Sequence, residues 1–258
     1  MLNYKSVNII TGFALIALLI TIYVFNLSLW ILISVPIIWF FMTLFGSFLI
    51  KWNYHFKSLH SNNSIKENRI AITFDDGPHP EFTPKALELL KQFNAKATFF
   101  CIGKNIEAHP EVFKNIVEQG HTIGNHTYSH AKNFGFFKTE RVLDELQKTN
   151  TIVKNSIGFD MQLYRPAFAV TNPRIKKAIK ATKLQPIGWS IRSLDTTPRT
   201  VEMIFNRTTK NLSKGDVILL HDTSAKSIMV LERLLLFLKQ QHIESVTIDS
   251  LFNIKAYA

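Results

Sequence analysis

Charge is missing from the amino-terminal part of this 258-residue sequence, where no Asp, Glu, Lys or Arg occurs between Val7 and Ile50. Two apolar runs, residues 7–27 and 28–50, meet at a short polar break around Ser28. Each run has about the 20 residues that a helix needs to cross a bilayer. The sequence therefore predicts a membrane anchor over residues 1–50, built as a transmembrane helical hairpin.

A buried core helix or a cleaved signal peptide would also be apolar. The length of the runs argues against a core helix, and no small-residue cleavage site follows a short apolar segment. Lys5 precedes the first run, and Lys51 and Lys57 follow the second, which places both ends of a hairpin in the cytoplasm. Insertion of a single span would put the rest of the chain outside. We therefore expect a multi-pass protein of the cell membrane, with the side of its large domain left open.

Cysteine is nearly absent as well. The single Cys101 excludes an intrachain disulfide framework and a cysteine-rich metal site, and its apolar neighbours predict a buried thiol. The net charge is +11, and residues 58–258, with 27 basic and 19 acidic residues, carry +8 of it. No motif interleaves arginine with aromatic residues, so the excess predicts a lysine-rich solvated surface and no nucleic-acid partner.

The chain beyond the anchor is organised as alternating strands and helices. Residues 51–68 are polar and read as a juxtamembrane linker, and residues 69–258 alternate short apolar runs with helical patterns. This alternation implies parallel strands joined by helices, in an α/β fold that is an incomplete (β/α)7 barrel. Chemistry is then expected at the carboxyl ends of the strands. The seven predicted strands are Arg69–Phe74, Ala97–Ile102, His121–Ile123, Leu163–Arg165, Pro186–Trp189, Asp216–His221 and Ser245–Ile248.

Two adjacent carboxylates, Asp75 and Asp76, stand where the first predicted strand breaks off at Gly77-Pro78. Asp, Gly and Pro are all turn residues, so an ordinary turn accounts for this stretch taken alone. If the turn brings both carboxylates into one cavity, their repulsion and desolvation require a cation or a proton that separates their roles. Metal ligands and an acid are therefore expected further along the chain.

Two histidines, His126 and His130, follow the third predicted strand. On one helical turn their i, i+4 spacing places both imidazoles on the same face, which is the spacing that grips one divalent ion. Taken alone, the pair could equally be two surface histidines. With Asp76 the donor set becomes two imidazoles and a carboxylate with an open position, which is typical of catalytic metals. Zinc suits this set, as do cobalt, nickel and manganese. Asp75 then remains free to take a proton from an activated water.

A third histidine, His221, ends the apolar run of the sixth predicted strand. A histidine at this place could act as a general acid for a leaving amine. The alternative is that Asp222 caps a helix and that His221 only packs beside it.

Five stretches of the sequence, in this order, resemble the five motifs of the polysaccharide deacetylases, the NodB-homology proteins of carbohydrate esterase family 4. They are Thr73–Pro78 (TFDDGP), His126–His130 (HTYSH), Arg165–Phe168 (RPAF), Trp189–Asp195 (WSIRSLD) and Leu219–Asp222 (LLHD). The resemblance covers about residues 69–250, and its first two motifs are specific. It implies a distorted (β/α) barrel and a metal-dependent N-deacetylase, with residues 69–258 as the catalytic domain.

Motif positions also imply roles for individual residues. Asp75 would be the base and Arg165 the residue that orients it, and Asp76, His126 and His130 would be the metal ligands. The backbone N–H of Phe168 would donate to the oxyanion, and Leu219 would line the acetyl pocket. His221 would be the acid, with Asp195 as its partner.

The sequence departs from the family pattern at the rim of the expected groove. Where the third motif of the pattern has a second proline, an aromatic residue and a glycine, this chain has Ala167, Phe168 and Ala169. In the fourth, Arg192 stands at an acidic position and Thr196 at a tryptophan position. An arginine changes the electrostatic field of the site and a missing tryptophan removes a sugar-stacking wall. These changes bear on which substrate is bound more than on which reaction is catalysed.

The resulting hypothesis is hydrolysis of the N-acetyl group of amino-sugar polymers or oligosaccharides of the peptidoglycan or chitin kind. The expected partners are an N-acetylated glycan, one divalent ion and a lipid bilayer. Two alternatives stay open: hydrolysis of a carbon–nitrogen bond in a non-sugar substrate, and a membrane-bound glycan-binding protein without catalysis. The full set of proposed proton-transfer and metal residues argues against the second, because a binding protein needs no separate base and acid.

Overall fold

The computed structural model describes residues 2–258 and opens with two apolar helices, α1 (Tyr4–Phe25) and α2 (Ser34–Phe48). The connection between them contains a left-handed Asn26 and a short 3₁₀ turn, Leu29–Ile33. The helices form an antiparallel hairpin, in which the Trp39 indole donates a hydrogen bond of 2.7 Å to the Asn8 side chain. The two open ends of the hairpin meet where the backbone N–H of Tyr4 donates to the carbonyl of Tyr54.

Both segments of the hairpin are long and apolar enough to cross a membrane, with mean hydropathies of 2.3 for Tyr4–Phe25 and 2.1 for Leu29–Phe48. Their side chains face outward, and Phe13 and Trp30 are 69% and 79% exposed. Soluble domains rarely expose continuous apolar surface on this scale. By length and composition the two helices are membrane spans or a signal sequence.

The rest of the chain is built on a curled parallel sheet. The strand order is β5-β4-β3-β2-β1-β7-β6, and β8 pairs with the first residues of β1. All of these pairings are parallel, which confirms the predicted incomplete (β/α) barrel. The strands are β1 Arg69–Asp75, β2 Ala97–Cys101, β3 Thr122–Asn125, β4 Leu163–Tyr164, β5 Gln185–Pro186, β6 Ile191–Arg192, β7 Val217–His221 and β8 Glu244–Ser245.

Eight further helices lie between the strands or after the last of them. They are α3 Phe82–Gln92, α4 Gly103–Ala108, α5 Pro110–Glu118, α6 Thr139–Ile157, α7 Pro173–Thr182, α8 Val201–Thr209, α9 Ala225–Gln240 and α10 Ile248–Phe252. Residues on α3 and α9, such as Leu87 and Leu234, share a core with Ile72 and Phe74 of β1. The free Cys101 is fully buried in the same core, as predicted.

Alternation along β1 determines which side chains face the inside of the barrel. Ile70, Ile72 and Phe74 belong to the core under the helices, whereas Ala71 belongs to a second core inside the barrel. Successive side chains on a strand point to opposite faces, so Thr73 and Asp75 share the inner face with Ala71. A carboxylate is thus carried to the carboxyl end of a central strand.

The structure corrects two of the predicted strands. A strand was expected over Pro186–Trp189, but the chain instead forms the short β5 and then a separate β6, Ile191–Arg192. The expected strand Ser245–Ile248 is wrong at its end, because the chain leaves β8 after Ser245 and begins α10 at Ile248. Val246 and Ile248 are both buried, and their apolar character produced the strand pattern.

Residues 51–68 pack onto the large domain over part of their length. Tyr54 and His55 are buried against the hairpin, where they lie 3.0 Å from the Thr43 and Ser47 hydroxyls, and the backbone N–H of Leu59 donates to Pro186 at the β5 edge. The hairpin is therefore joined to the barrel by a packed segment.

Candidate active site

The Asp75-Asp76 pair lies at the end of β1, and a sharp turn brings both carboxylates to one cavity. Asp76 adopts a positive φ of 72°, which ends the strand and reverses the alternation of side chains. Gly77 packs directly on Asp222, since a Cβ atom at Gly77 would stand 2.5 Å from a carboxylate oxygen of that residue. Glycine at this position allows the turn to close against the neighbouring strand β7.

His126 and His130 come together on a loop, and the expectation that they share a helical turn is wrong. Thr127 and His130 have positive φ values of 69° and 46°, which a helix does not allow. The buried carboxylate of Glu145 on α6 accepts hydrogen bonds from the backbone N–H groups of Tyr128 and Ser129. Hydrogen bonds to Glu145, and not helical periodicity, hold the loop in shape.

The donor atoms of Asp76, His126 and His130 face one another. Asp76 Oδ1 lies 3.3 Å from Nε2 of His126 and 3.3 Å from Nε2 of His130. Nitrogen and oxygen ligands about 2.0–2.1 Å from a tetrahedral zinc ion stand about 3.3–3.4 Å apart, so these spacings fit one such ion. Asp76 Oδ1 is also a buried oxygen without a hydrogen-bond partner among residues 2–258. The three side chains form a possible metal-binding group that agrees with the donor set expected from the sequence.

Charge within this group is strongly coupled. Burial raises the pKa of Asp76, but the adjacent imidazole of His126 and the charges of the other nearby histidines outweigh burial and hold the pKa well below the usual range. Burial and the charge of His126 lower the pKa of His130 to about 4. An ionised Asp76 and a neutral His130 are the forms in which both bind a metal ion. Burial lowers the pKa of His126, but the charges of Asp75 and Asp76 outweigh burial and raise it.

One flank of the cavity consists of Asp75 and Arg165. Arg165 is fully buried, and its Nη1 atom donates to Asp75 Oδ1 at 2.8 Å and to Thr73 Oγ1 at 2.6 Å. Nη2 donates to the carbonyl of Gly188 at 2.9 Å. Asp75 Oδ2 lies 3.9 Å from His126 Nε2, farther than the oxygen of Asp76. Asp75 is thus bound mainly to the arginine, and Asp76 mainly to the histidines.

The other flank consists of His221 and Asp195. Asp195 Oδ1 lies 2.8 Å from His221 Nδ1, and Asp195 Oδ2 accepts from the backbone N–H of His221 at 2.8 Å. Burial lowers the pKa of His221, but the hydrogen bond and charge of Asp195, together with the charges of Asp75 and Asp76, raise it to about 9. His221 Nε2 faces the cavity, 3.8 Å from Asp76 Oδ2.

The cavity between the two flanks has a volume of about 210 Å³. Leu219, the predicted acetyl-pocket residue, and Phe168 both line it. Phe168 has a positive φ of 55°, its ring centroid lies 4.3 Å from that of His130, and its backbone N–H donates to no residue within 2–258. The rim also includes Arg192 and Thr196, the positions at which the sequence departs from the motif. All nine predicted site residues therefore lie in or directly beside one cavity.

Sequence reasoning missed the residues that hold the site in place. Ser193 and Ser227 donate to the two oxygens of Asp195, at 2.9 and 2.7 Å. Glu145 could have been found, because it is a carboxylate on the buried stripe of α6 beside Val142 and Leu146. The two serines gave no signal, since serine is common in loops and in first turns of helices.

Asp222 does not cap a helix, contrary to the alternative considered for it. Ser224 caps α9 instead. Asp222 is buried, accepts a hydrogen bond from Thr83 Oγ1, and has its pKa raised by burial to about 7.

Comparisons with known proteins agree with this geometry. Residues 62–187 match the family model described as polysaccharide deacetylase. A peptidoglycan-N-acetylglucosamine deacetylase of Bacillus cereus is 37% identical over 197 residues, which are 73% of this chain and 90% of that protein. The chain belongs to the polysaccharide deacetylase family.

Two further relatives of this family member extend the agreement. A chitooligosaccharide deacetylase of Azorhizobium caulinodans is 32% identical over 60% of this chain and 74% of its own length. The crystal structure of the Bc1960 peptidoglycan N-acetylglucosamine deacetylase superposes with a TM-score of 0.71 at 33% identity, covering 77% of this chain and 94% of that one. These named relatives are deacetylases of N-acetylated amino sugars, hydrolases that act on carbon–nitrogen bonds.

Proposed function

We propose that residues 69–258 remove N-acetyl groups from an amino-sugar polymer or oligosaccharide at the cavity between Asp75 and His221. The observation that carries the proposal is the division of the two adjacent carboxylates. Asp76 Oδ1 lies 3.3 Å from both imidazoles, whereas Asp75 Oδ1 is bound by Arg165 at 2.8 Å. Two neighbouring carboxylates with different partners can perform two different tasks.

Asp76, His126 and His130 would hold one divalent ion, with zinc the first choice and cobalt, nickel or manganese as alternatives. Such an ion supplies Lewis acidity, which lowers the pKa of a water to about 7 and polarises the substrate carbonyl.

Asp75 acts as the general base in this proposal. Its Oδ1 is fixed by Arg165, and the second oxygen remains available to accept the proton of the attacking water. The buried arginine has four hydrogen-bond contacts to β1 and to residues 187–188, so it is held in place and orients the base. The unpaired N–H of Phe168 would donate to the oxygen that gains negative charge, and Leu219 would contact the acetyl methyl group.

His221 acts as the general acid on the opposite side of the cavity. Asp195 keeps Nδ1 engaged, which leaves Nε2 to protonate the departing amine. Because the pKa of His221 is raised to about 9, the imidazolium form is populated at neutral pH. The base and the acid thus approach the scissile amide from two flanks.

We also propose that the hairpin of α1 and α2 spans the cell membrane. The two apolar segments have the required length, and the contact between Tyr4 and Tyr54 brings both open ends of the hairpin to the face that carries the barrel. The amino terminus and the catalytic domain then share one side of the bilayer. Reporter fusions at both termini test this arrangement, and opposite signals from the two fusions would contradict it.

The reaction is tested with the full chain in detergent and with N-acetylglucosamine oligomers as substrate. We expect release of acetate that stops when a chelator removes the ion and returns when zinc or cobalt is added. Release that continues after chelation would reject the proposed metal site. Tight binding of the oligomers without acetate release by the metal-loaded protein would favour a non-catalytic glycan-binding protein.

A further inference from the structure

A second cavity adjoins the active-site cavity where the hairpin meets the barrel. It has a volume of about 290 Å³ and is bounded by Phe48–Trp52 on one side and by Trp189, Ser190, Arg192 and Arg207 on the other. We call it the juxtamembrane cleft. Trp189 and Arg192 line both this cleft and the active-site cavity, so the two spaces share a wall.

Three cations line the cleft, and none of them forms a salt bridge with a carboxylate of residues 2–258. Lys51 Nζ donates to the carbonyl of Ser190, and Arg207 Nε donates to the carbonyl of Arg192 at 2.7 Å. Arg192 is exposed and has no side-chain hydrogen bond within the described chain. The outward extension of the cleft contains one carboxylate, Asp216, which accepts from the backbone N–H of Ser213. Three positive charges against one negative charge favour an anionic ligand.

The cleft is held close to the apolar hairpin by direct contacts. The backbone N–H of Thr171, near the active-site rim, donates to the carbonyl of Ser47 at 2.8 Å. Ile50 is 4% exposed and packs in the inner core of the barrel with Trp189. On the hairpin side the cleft is bounded by Phe48 and Trp52, which are 52% and 38% exposed. The exposed apolar side chains of the hairpin end, the three cations and the catalytic cavity are therefore neighbours.

Arg192 provides the link between the cleft and the chemistry. It lies on β6 in register with Leu219 of β7, the residue expected to contact the acetyl group. An anion bound by Arg192 is therefore next to the sugar that is being deacetylated. The sequence places this arginine where the family pattern has an acid, and Thr196 on the same rim leaves open a place where the pattern has tryptophan. Both changes fit a substrate that carries negative charge beside its amino sugar.

We propose that the juxtamembrane cleft binds the phosphate groups of a lipid-linked N-acetylated amino sugar, with the sugar in the active-site cavity and the lipid along the hairpin. Two arginines are suited to a diphosphate, because each guanidinium can donate two parallel hydrogen bonds to phosphate oxygens. The inference rests on the proposed deacetylation and narrows its substrate from glycans in general to sugar phosphate esters at the membrane surface.

The experiment compares two synthetic substrates that share the sugar and the tail. One is N-acetylglucosamine joined to farnesol through a diphosphate, and the other is the farnesyl glycoside without phosphate. The full chain is loaded with zinc in vesicles of phosphatidylcholine, which has no net charge, and release of acetate is measured. We expect kcat/KM to be at least tenfold higher for the diphosphate, because a hydrogen bond between charged groups supplies about one to two powers of ten in affinity.

Variants of the two arginines test whether the preference for the diphosphate arises in the cleft. In Arg192→Gln and in Arg207→Gln we expect the ratio of the two kcat/KM values to fall about tenfold each, mainly through KM for the diphosphate. Lys210→Gln is the matched control, because Lys210 is an exposed cation on the turn after α8 that does not line the cleft, and it should leave both values unchanged. Equal losses on both substrates in the arginine variants would overturn the assignment.

Two other outcomes are distinguishable. If neither substrate releases acetate from the zinc-loaded protein, the proposed function itself fails. If both substrates react equally well, deacetylation stands and the phosphate site is rejected.

A last experiment tests whether the cleft binds the phosphates of the substrate or the headgroup of a membrane lipid. Anionic phosphatidylglycerol is added to the vesicles, and we expect it to compete with the diphosphate substrate and to leave the neutral glycoside unaffected. If instead it accelerates the neutral glycoside, and Arg207→Gln abolishes that gain, the cleft binds headgroups and the substrate assignment is wrong.

Discussion

Each flank of the active-site cavity contains a cationic and an anionic side chain, but the two pairs have different effects. On one flank a buried arginine, Arg165, holds the carboxylate Asp75, and on the other a buried carboxylate, Asp195, holds the imidazole of His221. The first pair keeps a carboxylate oriented, whereas the second raises the pKa of a histidine to about 9. In each pair the member that faces the cavity is the one proposed to react, and its partner fixes its orientation.

The largest effect is expected from loss of the acid in His221→Gln. Without a proton donor for the departing amine, kcat should fall by about 10²–10⁴-fold, the range for general acid catalysis. The bound zinc, measured by elemental analysis, should remain at one ion per chain. The control is His242→Asn, an exposed histidine after α9. Loss of zinc in His221→Gln would assign this residue to the metal site instead.

The arginine flank is tested by Arg165→Lys, which keeps the charge but not the fork of donors. Lysine can replace only part of the contacts to Thr73, Asp75 and Gly188, so Asp75 is left less well paired in a buried place. Removing one partner of a buried pair costs about 3–5 kcal/mol, and we expect a loss toward the lower end because the charge is kept. Thermal unfolding and acetate release should both decrease, whereas the exposed Arg174→Lys should change neither. An unchanged kcat would separate Arg165 from the orientation of the base.

The aspartate flank is tested by the pH dependence of Asp195→Asn. In the proposed mechanism His221 acts in its protonated form, so a pKa of about 9 should maintain activity up to that pH and let it fall above. Without the charge of Asp195 the pKa moves toward the ordinary value of about 6.5, and the alkaline limb of kcat moves to lower pH. The loss should therefore be large at pH 8 and small at pH 6. An equal loss at every pH would show that Asp195 only stabilises the fold.

The smallest effect is expected from Ser227→Ala, which removes one of the hydrogen bonds that Asp195 accepts. Three other contacts remain, from Ser193 and from the backbone and ring of His221. We expect the alkaline limb to move by about half a pH unit and kcat to fall less than about threefold. The same pH profile measures both quantities, and a loss as large as in Asp195→Asn would contradict the proposed ranking of contacts.

The sequence predicted the strands that carry the flanks because their apolar runs are uninterrupted and the reactive residues follow directly. β1 and β7 lie side by side in the sheet, with Asp75 in register with His221, which is what strand ends in a parallel sheet produce. Short strands were harder to predict, because a two-residue strand such as β6 is too short to show an alternation of apolar and polar residues. The split of the fifth strand was missed for this reason.

The residues that hold the site in place could not be predicted from short stretches of sequence. The loop of His126 and His130 depends on Glu145, and the loop and α6 meet only in the folded chain. Sequence spacing suggested a helical turn, because i, i+4 histidines on a helix and on this loop have identical spacing. The hydrogen bonds to Glu145 favour the loop over the helical turn, and these tertiary contacts are visible only in the structure.

The central claim is that two neighbouring carboxylates divide the work, Asp76 as a metal ligand and Asp75 as the base. It is tested most directly by measuring bound zinc and acetate release together in Asp75→Asn and Asp76→Asn. The account predicts that Asp75→Asn retains about one zinc per chain and loses at least about 10²-fold in kcat, whereas Asp76→Asn loses the zinc. If Asp75→Asn loses its zinc, or keeps its activity, the division of roles is contradicted.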